Sequence, residues 1–269
     1  MMDDEHFQDE AEFTEWLETR KYPEHFKRAK LLRSKSEDAL VKGGQAPSGS
    51  AYAKAVALIF GKAYKSYVSA IYLGARGLTE DMGVVIRSLL NLYIIAKWIG
   101  TKDREARAMR YLEWFWVEMY QLLDLIPVPQ SSRDDIEQEH RRVRPLFEYV
   151  GKTRDRRMPD TWHGSNIKQM ASEVGLTQHY QIVYKPLSAY EHSSSLAYFG
   201  MLSDAGREGG TLIRLRDHQF VPFYLGYGYQ YLAGTLWIWN DQYSAFDAAV
   251  LETELKEGVA FFSRKATPM

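Results

Sequence analysis

The chain is punctuated at intervals that suit helices and little else. Pro23, Gly43-Gly44, Gly77, Gly100, Pro127-Val128-Pro129, Pro145 and Gly175 divide it into segments within which apolar residues recur every three or four positions. In the segment from Ala51 to about Arg76, for example, Val56, Ile59, Phe60, Tyr64, Tyr67, Ile71 and Tyr72 share one broad face. Such stripes have to be buried, and with no alternation of strand and helix patterns the partner for each stripe is another helix. The expected fold is therefore an all-α multi-helix bundle. One stretch permits strand: TLIRL and FVPFY flank a polar turn, so a small β-hairpin near 211–224 is the single exception allowed.

Each segment has its own start and stop signals. An acidic amphipathic helix opens the chain, and Pro23 suits the first turn of the next, which halts at Gly43-Gly44. GGQAPSGS (Gly43–Ser50) is the clearest linker, dividing an N-terminal helical arm (1–45) from a main bundle (51–269). Further helices are expected from Thr79 to Gly100, Lys102 to Ile126, and Ser131 to about Val150 with a bend near Pro145. After a loop over Gly151–Ser165 come a short helix closed by Gly175 and one from about Thr177 that Pro186 kinks. Two last helices cover about Tyr224–Tyr243 and Phe246–Ser263.

Composition removes several functional classes. The 269 residues contain no cysteine, which excludes thiolate nucleophiles, disulfide frameworks and Cys-based zinc sites. A net charge of −1 gives no global attraction to nucleic acid or anionic lipid. The acidic start is unlike a signal peptide, and Val84–Ile99 and Leu225–Trp239 carry polar residues that mark them as buried helices rather than spans. The expectation is a cytoplasmic protein with no membrane partner. No phosphate loop, HExxH, GxSxG, EF-hand or repeated Glu-x-x-His pattern is present, so neither a metal site nor a cofactor is expected. Aromatics reach 14%, with 18 Tyr and 7 Trp, which points to thick helix interfaces or an aromatic-lined pocket.

Four features carry chemistry. Arg87 interrupts the apolar run Val84–Leu90, and a guanidinium there needs partners. It is either a structural charge tied to a carboxylate such as Glu80 or Glu191, or an anion-binding group with Asn91 one turn later on the same face. Tyr184, Ser188 and His192 fall at i, i+4 and i+8, a polar face that also needs partners. Arg141, Arg142, Arg144, Lys152, Arg154, Arg156 and Arg157 concentrate positive charge, and Trp162 behind them offers a stacking ring. That segment (141–157) is either a solvated face or an edge that contacts RNA or a nucleotide. Finally, the tyrosines and tryptophans from Tyr224 to Tyr243 read as a helix used in core or dimer packing.

Arg87-Ser88-Leu89-Leu90, followed about a hundred residues later by Tyr184-x-x-Leu187-Ser188-x-x-x-His192, resembles a widespread group of bacterial helical proteins of unknown function. That group is itself similar to HEPN-type helical bundles. The resemblance spans roughly Ala51–Ser203, and Asn91 stands where the first motif usually has Glu. HEPN-type proteins include metal-independent ribonucleases of defence systems, commonly dimeric, in which an arginine stabilises phosphorane charge and a nearby histidine moves protons. The resemblance thus implies Arg87 and His192 as the catalytic pair and a homodimer. Tyr184, Ser188 and Asn91 would complete the pocket, with Arg141, Arg142, Arg144 and Trp162 on the RNA side. Arg133…His140 and Arg157…His163 have related spacings of the kind that arise by chance. A ribonuclease or nucleotide-acting effector in bacterial defence or stress response is the first reading. The alternative is a non-catalytic helical module that binds a small anionic ligand or a partner protein.

Overall fold

A computed structural model describes residues 9–43, 49–147, 162–191 and 216–265 of the chain. The order is α1 (Glu10–Trp16), a π-helical turn (Leu17–Lys21), α2 (Pro23–Gly43), α3 (Ala51–Ala75), α4 (Thr79–Thr101), α5 (Arg104–Leu122) and α6 (Gln130–Val143). A 3₁₀ turn (Arg144–Leu146) precedes α7 (Ile167–Glu173) and α8 (Thr177–His179). A second π-helical turn (Tyr180–Tyr184) runs into α9 (Lys185–Glu191), and α10 (Val221–Tyr243) and α11 (Ala248–Lys265) finish the chain. No strand occurs among the described residues, and the fold is all-α.

The centre is a three-helix packing of α3, α4 and α10, with α2, α5 and α11 laid around it. Tyr67 from α3, Ile86, Leu89 and Leu90 from α4, and Tyr231, Leu232 and Leu236 from α10 have no solvent exposure. Each such aliphatic side chain contributes about 1.5–3 kcal/mol relative to an exposed one. Helix α10 comes close because Gly228 faces Ile86 and Tyr67; a Cβ there would lie 2.8 Å from the isoleucine Cδ1. Phe26, Leu32 and Ala39 of α2 belong to the same apolar cluster as the helices after residue 51. Helix α4 is long and apolar enough to cross a membrane by length and composition, with half of its most apolar stretch buried by its neighbours.

Local signals set most boundaries. Ser50 caps α3 by accepting from the Ala53 amide (3.0 Å), and Asn166 caps α7 by accepting from Gln169 (2.9 Å). Gly77 and Gly175 adopt positive φ (69° and 75°) at helix ends, a region a side chain would strain. The 3₁₀ turn at Arg144–Leu146 is the bend expected at Pro145.

The hairpin expectation needs correcting. FVPFY is not a strand: Val221–Tyr243 is one helix with Pro222 in its first turn, where the missing amide hydrogen costs no intrahelical bond. Val221, Tyr224 and Leu225 are buried at helical spacing, which decides against the β-branched and aromatic local preference. The other half, TLIRL (211–215), lies outside the described residues.

Both π-helical turns stand directly before a proline. Tyr22 donates its amide to the Leu17 carbonyl (2.9 Å) ahead of Pro23, and Lys185 donates to Tyr180 ahead of Pro186. A proline ring clashes with the carbonyl four residues earlier, and one extra residue in the turn moves that carbonyl aside. The kink expected at Pro186 therefore takes the form of a widened turn one residue before it.

Candidate functional site

Arg87 on α4 meets the second polar face across the α4–α9 contact. Its Nε donates to the Ser188 hydroxyl at 2.9 Å, and one terminal nitrogen donates to the Tyr184 hydroxyl at 3.3 Å. The guanidinium also lies 4.6 Å from the Tyr184 ring centroid, a cation–π distance. Ser188 in turn donates to the Tyr184 carbonyl one turn back (2.8 Å). Arg87, Tyr184 and Ser188 are each half-buried, as is Asn91 one turn further along α4. The same face of α4 continues to Trp98, whose indole N–H donates to Glu173 (2.7 Å), while Lys97 donates to the Val174 carbonyl (3.1 Å). Together these contacts form a polar seam that fixes the segment from α7 to α9 on α4. His192, the other half of the expected catalytic pair, lies outside the described residues.

The basic segment is less open than its sequence suggested. Arg142 is held by Glu113 (2.5 Å) and Glu139 (2.7 Å), and Arg141 lies 4.0 Å from Glu137. Arg144 is exposed beside His140, where its charge and burial together hold the imidazole below its ordinary pKa, burial being the larger cause. Trp162 is only 7% exposed; Trp98 and Tyr111 meet it edge-on, and Arg110 donates to its carbonyl (3.1 Å). The stacking role expected for Trp162 does not suit a ring so enclosed. Residues 148–161, with the rest of the basic run, lie outside the described residues.

Of the two secondary Arg–His spacings, only Arg133…His140 lies within the described residues, and its two groups point to different partners. Arg133 donates to the Leu123 carbonyl (2.8 Å) at the end of α5, while His140 stacks on Tyr120 at 3.9 Å between centroids. The two stand seven residues apart on one helix, about 10 Å of axial rise. His163 accepts at Nδ1 from the Ser165 amide (3.1 Å), and Arg157 is outside the described residues.

A cavity with mixed aromatic and polar lining lies on the other side of the α8–α9 segment. It has a volume of about 280 Å³ and is bounded by short stretches of three parts of the chain. Gln178, His179 and Ile182 form the first wall. Phe223, Gly226, Tyr227 and Gln230, at i, i+3, i+4 and i+7 on α10, form the second, and Val259, Phe262 and Ser263 on α11 form the third. Gly226 lets α11 close over α10, since a Cβ there would lie 3.1 Å from the Phe262 Cβ.

His179 is the chemical centre of this cavity. Its Nδ1 lies 3.1 Å from the Tyr231 hydroxyl, and its ring meets Tyr227 edge-on at 5.9 Å. Burial pushes its pKa down and the Lys97 charge adds to that, so the imidazole is neutral at pH 7. Tyr231 has no exposure, and burial pushes its phenol well up, so it keeps its proton. A buried hydroxyl donates where it has an acceptor, which makes His179 Nδ1 the acceptor and leaves the ring proton on Nε2. Sequence reasoning passed over this histidine because no motif contains it. The three walls lie up to 85 positions apart, and only the aromatic excess hinted at a lined pocket.

No group of three or more His, Asp or Glu able to hold a metal ion occurs among the described residues. A family model described as a family of unknown function (DUF5677) matches residues 53–209. No curated protein and no solved structure matches the chain. The matched stretch contains the whole Arg87–Tyr184–Ser188 seam and the first wall of the cavity, whereas the α10 and α11 walls lie beyond it.

Proposed function

Since the chain belongs to the DUF5677 family, whose function is unknown, we propose from the site itself that it is a non-catalytic helical module that binds a small molecule between α8, α10 and α11. The observation that carries this reading is the cavity of about 280 Å³ with aromatic walls and a neutral, oriented histidine. Ligand sites are concave, mostly apolar and provided with a few placed polar groups, and this cavity has that composition. The seam has a supporting role: Arg87 clamps Tyr184 and Ser188, and thereby holds the segment whose preceding turn supplies His179 and Ile182.

The ribonuclease reading rests on resemblance to HEPN-type proteins, and the ion pairs at Arg142 and the enclosure of Trp162 give it no added support. One experiment separates the two. The purified chain is screened for ligands that raise its melting temperature, in parallel with RNA cleavage in the presence of a chelator, using the parent, Tyr227→Ala and Arg87→Ala. A module gives a saturable stabiliser whose effect Tyr227→Ala abolishes, with no turnover of RNA. Multiple-turnover, metal-independent cleavage that disappears in Arg87→Ala and survives Tyr227→Ala would overturn the proposal in favour of the nuclease.

A further inference from the structure

We infer that the cavity between α8, α10 and α11 takes an uncharged, planar heterocycle bearing an amide edge, that is, an N–H beside a C=O. The inference rests on the binding-module reading and assigns its ligand class. None of the lining side chains carries a formal charge, and Lys97, whose charge reaches His179, is not among them, so the lining has no ion-pair partner to offset the lost hydration of a charged ligand. This moves the expected ligand away from the anions that the arginine-rich sequence suggested.

The hydrogen-bonding groups are of the kind that reads amides. Gln178 and Gln230 both line the cavity, and each side chain carries a carbonyl and an NH₂, the pair of groups that matches an N–H and a C=O at once. With Tyr231 donating to Nδ1, the His179 ring keeps its proton on Nε2. Flat surfaces complete the site. Phe223 and Tyr227 pack edge to face (4.7 Å, 75°), and Phe262 closes it from α11. Aromatic faces favour an offset-stacked ring over a puckered or branched group. The volume is at the small end of ligand sites, suited to one ring or a fused pair and not to an extended chain.

The test uses the full chain and four probes in saturation-transfer NMR titrations. Hypoxanthine and nicotinamide have the inferred chemistry, benzoate is planar but anionic, and cyclohexanecarboxamide has the amide without the flat ring. Hypoxanthine or nicotinamide should bind saturably at millimolar concentration or below, and benzoate and cyclohexanecarboxamide roughly tenfold more weakly. Gln230→Leu, which keeps the bulk and removes the amide, should weaken the bound heterocycle about tenfold, the equivalent of one or two lost hydrogen bonds. Should Gln230→Leu melt early, Gln178→Leu at the exposed rim makes the same comparison. Benzoate binding as tightly as the heterocycles overturns the ligand class. If that binding is lost in Tyr227→Ala, the module reading survives. Absence of saturable binding by both heterocycles also overturns the ligand class, and the module reading falls with it only when the wider melting screen finds no stabiliser sensitive to Tyr227→Ala.

Discussion

Ser188→Ala, Arg87→Met and the double replacement form a closed thermodynamic cycle across the α4–α9 seam. The Nε–Oγ distance of 2.9 Å is that of a normal hydrogen bond, and its donor is ionised. Such bonds contribute about 1.5–3 kcal/mol when water is excluded. Arg87 is half-buried, so water replaces part of what Ser188 supplied, and the coupling should be about 1 kcal/mol. Ser188→Ala alone should cost less, because alanine regains about 0.5 kcal/mol of helix propensity and the back-bond to the Tyr184 carbonyl is nearly neutral. Arg87→Met keeps the apolar stem but loses both hydroxyl contacts and the ring contact, and should cost about 2 kcal/mol. The assay is urea unfolding with a shared slope, which reads stability without a change in exposed surface. The exposed pair Arg142–Glu139 provides the internal standard, with an expected coupling of about 0.2–0.5 kcal/mol. A seam coupling no larger than that of the exposed pair would refute the view that Arg87 clamps α9.

Glycine replacements test the central packing through a change of sign. Gly61→Ala meets nothing within 4 Å and should stabilise by about 0.5–1 kcal/mol. Gly228→Ala has the same propensity gain but presses on fully buried Ile86 and Tyr67, and should destabilise by about 1–2 kcal/mol net; equal effects would sink the close-approach argument. Stability should also fall as pH drops through the ordinary histidine range. Burial lowers the folded-state pKa of His140, His163 and His179, so between those values and about 6.5 the unfolded chain binds more protons and stability rises with pH. Urea midpoints from pH 7.5 to 5.5 check this, and His179→Gln should flatten part of the slope. An unchanged slope in His179→Gln would mean that His179 is not the neutral, enclosed group described.

The sequence carried the helices well because Gly and Pro punctuation and buried periodicity agree over most of the chain. It marked Arg87 and the Tyr184–Ser188 face separately as polar groups in need of partners, and the structure has them hydrogen-bonded to each other where the sequence had named Glu80 or Glu191 as the structural partner. FVPFY misled because five residues of strand-like side chains say nothing about the helical face they continue into. The cavity was illegible for a different reason. Each wall is a short stretch of helical chain with no motif of its own, and only tertiary placement brings Gln178, Gln230 and Phe262 together. His179 gains its meaning from Tyr231 and Lys97, 52 and 82 positions away in the chain.

The widened turn at Tyr180–Tyr184 has a consequence for how this segment tolerates change in length. One residue beyond a regular turn shifts the phase of everything after it by about 100°. That offset lets a single continuous rod serve two clients: His179 and Ile182 face the cavity under α10 and α11, and Tyr184 and Ser188 face α4. A one-residue deletion inside the turn would leave every participating side chain in the sequence and still point one set away from its neighbour. In this stretch the residue count is itself a specification, as tightly set as any side chain in it.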